Sequence, residues 1–300
     1  AASSESALSS GASSTNQSPT ISIDTVSQTT DGTQYVTIAY TGTDLESEST
    51  NIITVEYSQN NSNWYTMTEK SGVGSEGTTS IAFSSGGTAH NFMWDVGTDL
   101  SSTEDSTVYV RLQANDGTSS GGIDTSSAFA IDTKDPVVSA VTAEQVSDSN
   151  NVTFTYTLTD GSTSAVELDI SEDSGSTWSV TDTSVTGDIG SAISAGAGKS
   201  VTWDAGSDFN NQDQSDMTVR FRALDAFGNQ GANAESSDFD LDTLNPVVSN
   251  VGASQDAGAN TVTITYDLSD TNDSTIEIDI SEDSGSTWAV TDTSVTGDVG

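Results

Sequence analysis

Along residues 152–158, apolar and polar side chains alternate strictly: threonines separate Val152, Phe154, Tyr156 and Leu158. A period of two is the mark of a β-strand with one face buried and the other wet. The pattern returns at Val262, Ile264, Tyr266 and Leu268, and in shorter form at Val36, Ile38 and Tyr40. A second strand, Val166, Leu168 and Ile170, recurs as Ile276, Ile278 and Ile280. A third places Met217, Val219, Phe221 and Ala223 inward and Arg220 and Arg222 outward; its earlier version is Val108, Val110, Leu112 and Ala114. Phe239 with Leu241, and Phe129 with Ile131, mark closing strands. No segment shows a helical period.

The pattern repeats because the chain does. The string SEDSGSTW occurs at 171–178 and again at 281–288, 110 residues later. The linker Asp132-Thr133-Lys134-Asp135-Pro136 returns with the same spacing as Asp242-Thr243-Leu244-Asn245-Pro246. A fixed period of this size means tandem copies of one domain. About seven strands in each copy predict an all-β fold of tandem Ig-like antiparallel β-sandwich domains in an extended array. The expected boundaries are a flexible Ser/Ala-rich leader at 1–18, a divergent first domain at 19–134, a second at 135–244 and an incomplete third at 245–300. The third copy stops at Gly300, the counterpart of Gly190. The chain is therefore expected to be part of something longer, its last domain completed by further residues or by a strand donated from a neighbour. The five tryptophans are expected as core anchors.

Charge narrows the partners. Six basic residues against 45 acidic ones give a net charge of −39, which repels nucleic acid and anionic membranes alike. No apolar run is long enough to span a bilayer. Cysteine is absent, so disulfides contribute nothing to stability. The opening Ala1-Ala2-Ser3-Ser4 suits the mature end left by signal-peptide cleavage, and so an extracellular, cell-surface location.

Two motifs carry candidate chemistry. Ser171, Asp173, Gly175, Thr177 and Trp178, repeated as Ser281, Asp283, Gly285, Thr287 and Trp288, form an Asp-box. The Asp is expected to cap the donors of a hairpin turn, with Trp fixing the hairpin to the core. The motif resembles the structural turns of sialidases and related propellers. The arginines Arg111, Arg220 and Arg222 do not make a sialidase cluster, however, and a period near 110 residues is too long for a propeller blade. His90 is the only histidine and reads as an incidental surface residue, so no catalytic site is expected.

The second candidate is calcium at the domain junctions. In an Ig-like sandwich the linker enters beside two loops, which should gather Asp132, Asp135, Asp160 and Asp225, with Asp95, Asp99, Glu104 and Asp105 facing them. At the next junction Asp242, Asp270 and Asp273 should meet Asp204, Asp208, Asp213 and Asp216. Carboxylates about 4 Å apart repel by about 4 kcal/mol at an effective dielectric near 20. A hard cation taking six to eight oxygens relieves that repulsion.

With strands, Asp-box hairpins and linker in place, the chain resembles the Ig-like or fibronectin-III-like repeats of bacterial and archaeal surface proteins. Asp132 to Pro136 is similar to the linker of such arrays, and Leu224-Asp225-Ala226-Phe227-Gly228-Asn229 to their sixth-strand turn. The resemblance implies a non-enzymatic structural protein that assembles with copies of itself into a surface layer or filament, with cell-surface glycans or receptors as further partners. The alternatives are the stalk of a calcium-stiffened adhesin and the accessory domains of a secreted hydrolase.

Overall fold

In the computed structural model, residues 15–47, 49–291 and 294–298 are described; the expected leader at 1–18 falls almost wholly outside them. The first repeat contains β1 (Thr20–Gln28), β2 (Val36–Thr43), β3 (Ser49–Ser58), β4 (Tyr65–Thr66), β5 (Ile81–Ala82), β6 (Thr88–Trp94), α1 (Val96–Asp99), β7 (Glu104–Asn115), β8 (Asp124–Thr125) and β9 (Phe129–Asp132). The second contains β10 (Val137–Gln145), β11 (Asn151–Thr159), β12 (Ser164–Ser171), β13 (Val185–Gly187), β14 (Gly190–Ile193), β15 (Gly196–Asp204), α2 (Ala205–Asp208), β16 (Asp213–Leu224), β17 (Ala234–Glu235) and β18 (Phe239–Asp242). The third has β19 (Val247–Gln255) and β20 (Val262–Ser269).

The chain is all-β and its named strands pair antiparallel. One sheet of the first repeat runs β1-β2-β6 and the other β4-β3-β7-β8, with β5 and β9 attached. The second repeat gives β10-β11-β15-β13 and β14-β12-β16-β17, with β18 on β16. The period-two pattern explains the pairing of faces. Val152, Phe154, Tyr156 and Leu158 of β11 point into the same core as Met217, Val219, Phe221 and Ala223 of β16. Val36, Ile38 and Tyr40 meet Val108, Val110, Leu112 and Ala114 in the first repeat. At about 25 cal/mol per Å² of apolar surface, each large side chain removed from water contributes about 2–3 kcal/mol.

The third repeat departs from the expected pattern. β19 and β20 pair, but Ile276, Ile278 and Ile280 form no named strand, and only an Ile280–Val290 bridge remains. The reason is pairing. In the second repeat β12 is held along its length by β16, from Ala165 opposite Leu224 to Ser171 opposite Thr218. Among the described residues the third repeat has no strand in the place of β16. Val262 is accordingly 57% exposed, whereas Val152 is buried.

The tryptophans divide into three kinds. Trp94 and Trp203 are core anchors with no exposed surface. Trp64 and Trp178 are half-buried on the outside of a sheet, beneath Arg111 and Arg220, whose guanidinium carbons lie 4.2 Å from the ring centres. Trp288 is 62% exposed. An aromatic face attracts a cation, so the Asp-box Trp178 packs on Arg220, a surface stack in place of the expected fixing to the core.

Candidate functional site

The linker between the first two repeats is an ordered piece of β-structure. Glu104 of β7 pairs with Asp132 of β9. The Gln28 side chain brackets Asp132, accepting from its N–H (2.8 Å) and donating to its carbonyl. Thr133 is buried; its N–H reaches the Thr103 carbonyl and its hydroxyl donates to the Leu100 carbonyl. Gln145, Asp242, Thr243 and Phe209 repeat this clasp one period later. Beyond the linker, the loop at 29–35 docks on the turn at 225–229. Gly32 N–H donates to the Phe227 carbonyl (3.0 Å), and Gln34 Nε2 donates to Asn229 Oδ1 (2.7 Å). Gly32 and Gly228 both have positive φ and face each other so closely that a Cβ on either would overlap the other's backbone.

The linker, the loop between β11 and β12, and the start of β7 bring three carboxylates together. One oxygen from each of Glu104, Asp132 and Asp160 lies within 4.8 Å of the others. Asp132 is only 1% exposed. Its Oδ1 accepts from the Lys134 N–H (2.9 Å), while its buried Oδ2 has no partner among the described residues. Asp160 is built the same way. Its Oδ2 accepts from the Ser162 and Ser164 hydroxyls, both at 3.0 Å, and its buried Oδ1 is unpartnered among the described residues. Lys134 Nζ stands 3.8 Å from Glu104 Oε2. A cleft of about 290 Å³, lined in part by Glu104, Asp105, Asp132, Ser162 and Phe227, opens beside the group.

Burial is the first cause pushing the Asp132 carboxyl up, to about 6; its bond from Lys134 opposes this, and Asp225, Glu104 and Asp160 add repulsion. The sign follows from linkage. A carboxyl raised in the folded state binds protons that the unfolded chain does not, so this contribution to stability grows as pH falls from 7 to about 4 and is lost as pH rises through about 6. In chelator, the wild-type unfolding midpoint should therefore gain on that of Asp132→Asn as pH drops from 7 to 5. A difference independent of pH would contradict the strained carboxyl.

The other expected ligands are used differently. Asp225 reaches the junction, but Oδ1 accepts from the N–H groups of Phe227 and Asn229 and Oδ2 from Asn229 Nδ2. Asn229 Nδ2 also donates to the Asp132 carbonyl (3.1 Å), so Asp225 positions the turn that touches the linker. Asp135 is exposed and outside the group. Asp99 and Asp208 accept the indole N–H of Trp94 (2.7 Å) and Trp203 (3.0 Å) and are hydrogen-bonded within their own repeats. Asp95 pairs with Lys70, and Asp204 caps α2 through Ser207. At the second junction Asn272 donates to Asp242, Asp270 accepts from Ser274, and Asp273 is exposed. The loop pairing of Trp with the Asp five residues on was missed, although its signal, Trp94-Asp95-x-Gly97-x-Asp99 and Trp203-Asp204-x-Gly206-x-Asp208, is plain in the chain.

In the turns at 171–178 and 281–288 the aspartate accepts from backbone and side-chain donors of its own turn. Asp173 Oδ1 accepts from the Thr177 N–H (2.7 Å), and the Ser171 hydroxyl accepts from the Gly175 N–H at φ +79°. Asp283, Ser281 and Gly285 repeat the turn. The first repeat reaches it without Asp or Gly: Asn60 Oδ1 accepts from the Ser62 and Asn63 N–H groups, and Asn61 takes φ +55°. His90 is buried rather than a surface residue, with Nδ1 at 2.9 Å from Glu76 and Nε2 at 3.2 Å from the Ala82 carbonyl.

No known family model matches the chain, and a search among curated proteins finds no significant relative. Function is therefore argued from these residues alone. Among the described residues, no helix is long and apolar enough to cross a membrane.

Proposed function

We propose that the chain is a non-enzymatic structural protein of the cell surface. In this reading its repeats are Ig-like β-sandwiches, and copies of it associate into a surface layer or extracellular filament. The strand order supports the Ig-like reading. The first, second and sixth strands of the first repeat form one sheet, and the third and seventh lead the other. The observation that carries the structural role is the clasped linker. Gln28 and Thr133 fix the linker to the first repeat, and the Gly32–Phe227, Gln34–Asn229 and Asn229–Asp132 bonds join that repeat to the second, which suits a spacer or lattice strut. The acidic surface suits an exposed, well-hydrated protein. His90 is committed to Glu76 and Ala82, and the Asp-box carboxylates to their own turns, consistent with a non-enzymatic role.

Negative-stain electron microscopy of the purified chain tests this. Ordered sheets or filaments growing with concentration are the expected result. Separate rods at every concentration would replace self-assembly with an adhesin stalk, and flexible beads would remove the structural reading altogether.

A further inference from the structure

The acidic group at the first junction has a feature that repulsion alone does not explain. Asp132 and Asp160 each tie one carboxylate oxygen into hydrogen bonds and leave the other buried without a partner among the described residues. A buried oxygen without a partner is destabilising, more so when it is charged. Two such atoms in one group with Glu104 point to a ligand that supplies positive charge and accepts oxygen donors. Lys134 pairs with Glu104 at 3.8 Å and hydrogen-bonds neither of these oxygens.

We infer that Glu104, Asp132 and Asp160 form a site for one hard divalent cation, of which calcium is the test ion, locking the first repeat to the second. The unpartnered oxygens Asp132 Oδ2 and Asp160 Oδ1 and the Glu104 carboxylate provide three protein ligands. Water from the adjoining cleft completes the shell, as such ions require. Asp225 shapes the site from behind through Asn229 and gives no ligand. The site spans both repeats: Glu104 and Asp132 come from one and Asp160 from the other. This holds whether or not the chain assembles with copies of itself.

The second junction shows what the site needs. Its aligned carboxylates are Asp213, Asp242 and Asp270, but they are not gathered into a group. The three positions after the loop aspartate differ, Thr163 becoming Asp273. Gly161 becomes Thr271, and Ser162 becomes Asn272, whose amide donates to Asp242. A Cβ at Gly161 would overlap the Glu104 carboxylate, so a larger residue there displaces Glu104 from its present place in the group. The cation site therefore belongs to the first junction, with a stoichiometry of one.

Isothermal titration of the full chain with calcium chloride, after chelator treatment, tests this. One site is expected, with an affinity in the 10⁻⁴–10⁻³ M range of extracellular calcium modules. Calcium at about a hundred times its dissociation constant should raise the unfolding midpoint by about 5–10 °C. Asp160→Asn and Gly161→Thr should each weaken binding about tenfold or more, while Asp273→Asn should leave it unchanged. Asp132→Asn removes a buried charge, so it should fold at least as well as wild type in chelator, yet lose the calcium-induced shift. No binding by the wild-type chain would overturn the inference. So would a many-site isotherm that Asp132→Asn and Asp160→Asn leave intact, which would mean diffuse counterion attraction only.

Discussion

Replacing Asp208 with Ala should destabilise the second repeat by about 3 kcal/mol. The carboxylate accepts from Trp203 Nε1 (3.0 Å), the Ser184 N–H (2.8 Å) and the hydroxyls of Thr183 and Ser184. Burial pushes its pKa up, but those bonds outweigh it and hold it below the ordinary value. Without the acceptor, the indole N–H of a fully buried tryptophan loses its partner, at about 1–3 kcal/mol, and the remaining donors lose charge-assisted bonds. Trp203→Phe keeps most of the apolar bulk and removes only the donor. A double-mutant cycle by urea unfolding should show coupling of about 1–2 kcal/mol between the two positions. Additivity would mean that Asp208 acts only on the loop at 183–184.

The second large effect concerns the joint between repeats. Gly228→Ala should uncouple the first two repeats while leaving both cores folded. Its φ is +83°, and a Cβ there would overlap the backbone of Asp31 and Gly32. Side chains resist that backbone region, at about 1–2 kcal/mol. The larger consequence is steric, because the loop at 29–35 has to withdraw, breaking the Gly32–Phe227 and Gln34–Asn229 bonds. Gly32→Ala makes the same clash from the opposite side and should behave alike. Spin labels on β2 and β16 would read the change as a distance distribution much broader than in wild type. A distribution as narrow as wild type in both variants would show that the joint is held elsewhere.

Much of this architecture was legible in the alternation of side chains. Buried positions such as Val152, Phe154, Tyr156, Val219 and Phe221 follow directly from a period of two, since a strand turns alternate side chains to the same face. The Ig-like reading put the linker beside Asp160 and Asp225; in the structure Asp132 groups with Asp160, and the turn held by Asp225 reaches it through Asn229. Sequence could not tell which carboxylates are free. Asp99, Asp208 and Asp225 look like Asp132 in the chain, and only their hydrogen-bond partners reveal that their oxygens are occupied. Burial of His90 was equally hidden, because a polar residue in a strand reads as wet until its partners are known. The short helices α1 and α2 escaped because one turn has no measurable period. In the third repeat the alternation at 276–280 was read as a strand and none forms, because a strand there also needs the neighbour that β16 provides in the second.

The Gln28 clasp has a mechanical consequence. β1 enters the first repeat at one end and β9 leaves it at the other, and Gln28 ties the last residue of β1 to the last residue of β9. Tension applied between Thr20 and Asp132 would pull these two strands past each other. The load then falls on the clasp, the β1–β2 ladder and the β7–β9 pairs together, as shear, so that several bonds must fail at once. Survival under such a pull is set by the rate of unfolding rather than by equilibrium stability, and a glutamine side chain becomes a tensile fastener, repeated by Gln145 at the next joint.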